Sequence, residues 1–104
     1  RALETAVLLE LERRRYAGGW DRTGEGGGVD FFATRADVSP LLVQVCLDTA
    51  ADSTWEREVR ALASAAAAHP DARAVLVTLD PTPPERELPA GLQWTPAAQW
   101  LLEP

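Results

Sequence analysis

Residues 41–79 read LLVQVCLDTAADSTWEREVRALASAAAAHPDARAVLVTL, and this stretch decides the fold. Leu41–Leu47 is a near-continuous apolar run that includes Val43 and Val45. Such a run predicts a strand buried on both faces. Ser53-Thr-Trp-Glu56 has the form of a capping box, in which the Ser hydroxyl accepts an orphan amide and the Glu reaches back. A helix is therefore expected from there to about Ala68, with Trp55, Val59, Leu62 and Ala66 on one stripe. The run Ala65–Ala68 favours helix, and Pro70 stops it because a residue before proline avoids the α region. Ala74–Leu79 (AVLVTL) is a second buried strand. A helix between two apolar strands implies a crossover and a parallel pair.

Working outward, residues 2–16 form a predicted helix, with Leu3, Val7, Leu8 and Leu11 on an apolar arc. Arg13, Arg14 and Arg15 sit at its end, where cations suit the helix dipole, and Gly18 and Gly19 close it. Trp20–Thr23 is expected as a short extended segment and Gly24–Gly28 as a turn. Val29–Thr34 then reads as the second strand of a hairpin, and Asp37–Pro40 as a turn. After the second long strand, Pro81, Pro83 and Pro84 impose a stiff loop. Leu92–Trp94 reads as a short edge strand. Thr95-Pro96 is a helix-start signal for Ala97–Leu102. The expected order is α-β-β-β-α-β-β-α: an α/β fold with a mixed four- to five-stranded sheet flanked by helices.

The chain has 104 residues, 10 basic and 16 acidic, for a formal net charge of −6. This is one domain by length. Its 46% hydrophobic and 25% charged content is that of a globular chain, not a disordered one. No apolar stretch is long enough to span a membrane, and no signal peptide is visible. A single cysteine excludes an internal disulfide framework and a multi-Cys zinc site. A reduced, cytoplasmic setting is expected. The chain lacks Met and opens at Arg1, so a segment of a longer protein is expected. All ten basic residues are Arg.

Few residues stand out as carriers of chemistry. Counting about 100° per residue, Glu4 falls inside the apolar arc of the first helix. It is either solvated in a frayed first turn or paired with Arg1, or else aimed at the sheet, where a buried carboxylate needs a partner or a metal. Asp30 lies in a predicted strand that puts it on one face with Phe32, and Val29 and Phe31 on the other. Gln44 and Cys46 share a face of the most apolar strand. A buried Gln needs hydrogen-bond partners, and a buried Cys is commonly a small hydrophobe. His69, at a helix C-terminus, reads as a cap. Arg13–Arg15 reads as a solvated helix end, and an acidic domain lacks the electrostatic footprint of nonspecific nucleic-acid binding. The glycine-rich turn lacks the Gly-Lys-Ser/Thr ending of a phosphate loop and leads into a strand.

Taken together, ALETAVLLELERR (2–14), GGGVDFF (26–32), LLVQVCLD (41–48), WEREVRAL (55–62) and AVLVTLD (74–80) resemble the nuclease-like domain at the C-terminus of a prokaryotic AAA-type ATPase family of unknown function. That domain is similar to the restriction-endonuclease-like, or PD-(D/E)XK, fold. The resemblance covers nearly the whole chain. It implies a restriction-endonuclease-like core in a single domain, 1–104, excised from a longer ATPase chain. It makes Glu4 the acid of the first helix and Asp30 a strand acid that binds a divalent metal, Mg or Mn. Gln44 stands where a third-strand carboxylate is expected, and Cys46 where a lysine is expected. Gly28 stands where the ATPase family often has an acid. Glu4, Asp30 and Gln44 are then the metal-ligand candidates, and Glu4, Asp30, Gln44 and Cys46 form a remnant site. With no Lys in the chain, Arg22 is the candidate to replace it.

Three functions follow as expectations. The first is a non-catalytic or degenerate accessory domain of a larger ATPase, serving recognition, regulation or assembly. The second is a divalent-metal nuclease with an atypical Glu/Asp/Gln/Cys site. The third is a plain interaction module, with Trp20, Trp55, Trp94 and Trp100 as interface candidates. Partners expected are the ATPase portion of the parent chain, nucleic acid weakly, and a second copy in a homo-oligomer; a membrane is not expected.

Overall fold

The structure is a computed structural model that describes residues 2–20 and 29–102, with Gly19 and Trp20 described by their backbone. Along the chain run α1 (Ala2–Arg13), β1 (Ala17–Trp20), β2 (Phe31–Thr34), β3 (Leu41–Cys46), α2 (Asp52–Ala68), β4 (Arg73–Thr78), β5 (Leu92–Pro96) and α3 (Ala97–Leu102). The five strands form one sheet in the order β1-β2-β3-β4-β5. β1, β2 and β3 pair antiparallel, whereas β3, β4 and β5 pair parallel. The fold is thus α/β with a mixed sheet flanked by helices.

The sheet separates two apolar layers. On one face Leu41, Val43, Val45, Val75 and Val77 meet Leu3, Val7 and Leu11 of α1 and Ala97 and Trp100 of α3. On the other, Leu42, Cys46 and Leu76 meet Trp55, Val59 and Leu62 of α2. Every residue of β3 is buried, as expected of a central strand covered on both sides. Fully buried Leu42, Leu62 and Leu76 each stabilise the fold by roughly 1.5–3 kcal/mol through removal of apolar surface from water.

Several local expectations need correction. α1 ends at Arg13, not at residue 16, and the closing residue is Arg15, at φ 67°. Its N–H donates to Glu12 O and that of Tyr16 to Leu11 O, which satisfies the last carbonyls without glycine. Gly18 serves the sheet instead. It lies in β1 at φ +110°, and a Cβ there would stand 2.6 Å from Phe32 O. The first hairpin strand therefore begins at Ala17, earlier than the expected Trp20–Thr23. The remainder of that segment, Arg22 and the Gly24–Gly28 turn lie outside the described residues.

The capping box does not form. α2 starts at Asp52 with Ala51 as its N-cap and no side-chain cap bond. Asp48 Oδ1 instead accepts from Ala50 N and Ala51 N, so the turn before the helix is fixed from outside it. The C-terminus is as expected: the helix stops at Ala68, one residue before His69-Pro70. His69 N–H donates to Ala65 O, and its ring stacks on Phe32 at 4.6 Å.

The interface reading of the tryptophans also needs correction. Trp55 and Trp100 are core residues, one in each layer, and are not available as a surface. Trp94 is half-buried, and its indole N–H donates to Thr78 Oγ1 at 2.8 Å. The side chain of Trp20 lies outside the described residues.

Candidate functional site

The site lies where β2 and β3 part. Their backbone pairing runs from Ala33↔Leu41 to Phe31↔Val43 and stops there. Asp30 is a bend, not a strand residue, so the expected alternation fails across it: Phe31 joins the α1/α3 layer while Val29 joins the α2 layer. Side chains take over from the ladder at this point. Asp30 N–H donates to Gln44 Oε1 at 2.9 Å, and Val45 N–H donates to Asp30 Oδ2 at 2.8 Å. Each strand thus gives one backbone N–H to the other's side chain. A cleft lies beside this junction.

The cleft holds about 250 Å³ and is lined by Glu4, Asp30, Cys46, Asp48, Thr54 and Glu58 among others. Three of the expected residues therefore share it: Glu4 from α1, Asp30 from the bend and Cys46 from β3. Glu4 is half-exposed and Asp30 likewise, so neither carboxylate is sealed in the core. Gln44 lies behind them, 3% exposed, and is bonded to Asp30 directly. Asp30 is therefore an acid bound into the strand junction.

One participant was missed from sequence. Glu58, in the second turn of α2, lines the same cleft and accepts from Gln44 Nε2 at 2.5 Å. Its other oxygen faces Arg57 Nε at 3.3 Å. A signal existed. Glu58 lies three residues after Trp55 and one before Val59, on the edge of the apolar stripe that faces the sheet.

The orientation of the Gln44 amide is dictated by its partners. A backbone N–H needs an acceptor, so Asp30 N fixes Oε1, and the NH₂ group must then face the Glu58 carboxylate. Cys46 is 1% exposed, and its thiol approaches Asp48 O at 3.7 Å. Burial, and secondarily the charge of Glu58, push that thiol above its ordinary pKa. It is therefore protonated near neutrality and a poor nucleophile.

The donor set does not fit the divalent metal that the family resemblance implies. Position 44 presents an N–H donor towards Glu58 where a ligand oxygen is needed, and Asp30 Oδ2 is engaged by Val45 N. Cys46 is too soft a donor for a hard cation. Among the described residues no three His, Cys, Asp or Glu side chains are grouped to hold a metal ion. Comparison with protein-family models, with curated proteins and with solved structures finds no match to the chain. Among the described residues, no helix is long and apolar enough to cross a membrane.

A buried acid lies elsewhere. Glu10 of α1 is 7% exposed. Arg13 donates to it from Nε at 2.9 Å and from Nη2 at 2.5 Å, and Arg14 from Nε at 2.6 Å. The helix end is thus solvated at Arg13, whose side chain stays more than half exposed, and packed at Arg14, which is largely covered. The Arg13 hydrogen bonds, reinforced by Arg14, lower the Glu10 pKa from 4.5 to about 2. Arg14 also lies over the Trp100 ring at 4.5 Å and donates to Trp100 O, which ties α1 to α3. The role of this cluster is to join two helices.

Proposed function

We propose that this chain is a nuclease-like accessory domain with a non-catalytic or degenerate site, serving recognition, regulation or assembly of a larger AAA-type ATPase. The order of elements and the mixed sheet support a restriction-endonuclease-like core. The single observation that carries the functional reading is the Gln44 amide. By the family resemblance it stands where a third-strand carboxylate is expected, and both of its ends are committed to protein partners, Asp30 N and Glu58. A carboxylate-held divalent cation is the usual source of nucleophile activation and charge stabilisation in that reaction. An amide engaged in this way contributes no charge to such a centre.

The rival reading is a divalent-metal nuclease. It draws on Glu58, whose carboxylate shares the cleft with Glu4 and Asp30. Calorimetric titration of Mn²⁺ into the wild-type chain and into Asp30→Ala, with a cleavage assay on plasmid DNA and on RNA, separates the two. The accessory reading expects no saturable binding and no metal-dependent cleavage. Saturable heat that disappears in Asp30→Ala, together with Mn²⁺-dependent cleavage, would overturn it in favour of the enzyme.

A further inference from the structure

We infer that the Gln44 amide does the work of a cation in this cleft: it holds the Glu58 carboxylate next to the Asp30 junction, and so locks the site against a divalent ion. This deepens the accessory-domain reading and rests on it.

The argument starts from the two ends of one side chain. Gln44 Oε1 must remain an acceptor for Asp30 N, because that N–H has lost its place in the β2–β3 ladder. The Gln44 NH₂ group then faces Glu58 Oε2 at 2.5 Å. It supplies partial positive charge to a carboxylate on an element that the β2–β3 ladder does not reach. Val45, the next residue, performs the matching task for the other acid by donating its N–H to Asp30 Oδ2. Adjacent residues of β3 therefore hold one carboxylate each, from the bend on one side and from α2 on the other. A divalent ion bridging carboxylates would do the same by charge. Here it is done by two N–H groups that cannot dissociate.

The consequence is specific to position 44. In Gln44→Glu the new carboxylate can still accept from Asp30 N with one oxygen. Its other oxygen then meets Glu58 at hydrogen-bonding distance with no hydrogen between them. Two like charges at this separation, partly withdrawn from water, repel strongly. A divalent cation between them removes the repulsion, so the variant should become cation-dependent where the wild type is not. In Gln44→Glu/Glu58→Gln the donor and acceptor simply change places, and the bond re-forms without a cation.

Thermal melts of the wild type, Gln44→Glu, Glu58→Gln and the double variant, each in EDTA and in millimolar Mn²⁺, test this. We expect the wild type and Glu58→Gln to melt at the same temperature in both. Gln44→Glu should melt lower in EDTA and recover with Mn²⁺, binding the ion saturably where the wild type does not. The double variant should recover in EDTA alone. If Gln44→Glu is unfolded in EDTA, refolding on Mn²⁺ addition or in the double variant supports the lock, and unfolding in both overturns it. A Gln44→Glu chain that melts with the wild type in EDTA also overturns it. Equal Mn²⁺ stabilisation of wild type and variant would instead sink the accessory-domain reading, because the unaltered cleft would then be a cation site.

Discussion

Strand β3 meets its two neighbours in different ways. Against β4 it pairs without interruption, from Leu41↔Arg73 to Cys46↔Thr78. Against β2 it pairs only from Leu41 to Val43, and from Gln44 onward side chains replace backbone. The first boundary is mostly apolar on both faces and buried throughout, apart from Arg73 at its start. The second carries the acids, the amide and the cleft. Continuous backbone pairing buys rigidity, whereas a ladder handed over to side chains makes room for polar groups without orphaning any of them.

The largest effect should come from the continuous side. Leu76→Ala, at a site with no solvent exposure, should lower stability by about 2–5 kcal/mol in urea denaturation, since β4 is gripped by β3 and β5 and cannot collapse into the void. The interrupted side should be less sensitive. Gln44→Leu fits the volume but strips the amide from Asp30 N and from Glu58, for about 1–3 kcal/mol. If Gln44→Leu proved as costly as Leu76→Ala, the two boundaries would be equally rigid and the contrast would fail. A third effect should lie remote from both boundaries, at Glu10→Gln, and is best read through its pH dependence. The Glu10 pKa is lower folded than unfolded, so its contribution is present above the ordinary carboxylate pKa near 4.5. It is lost as pH falls towards about 2. Urea midpoints across that range should decline in the wild type, and the decline should be shallower in Glu10→Gln.

The same contrast explains what could be read from the sequence. The β3-α2-β4 crossover was legible because its geometry writes a pattern: an apolar run, a helical stripe stopped by proline, a second apolar run. The two-sided burial of β3 followed from the same pattern. Asp30, Gln44 and Cys46 were legible as polar residues in apolar company, although the bend at Asp30 was not, since alternation gives no warning of where a ladder stops. Glu58 was hidden because acids on a surface helix are ordinary, and only the partner across the cleft distinguishes it. Glu10 was hidden in the same way, yet Arg at three and four residues beyond is the spacing that brings side chains together on a helix. The capping box misled because the helix starts earlier, at Asp52, after a turn that Asp48 fixes through the amides of Ala50 and Ala51, so Ser53 already lies inside the helix.

The placement of Trp55 and Trp100 has an optical consequence. One indole is sealed in each apolar layer, with the sheet between them. Trp100 lies under the Arg14 guanidinium and Trp55 under that of Arg86, at 4.5 and 5.6 Å, so each fluorophore has a cation as its lid. The domain therefore carries an emission probe on either side of its sheet, and with Trp20, Trp94 and one of these two replaced by Phe, the remaining indole reports on its own layer as it comes apart.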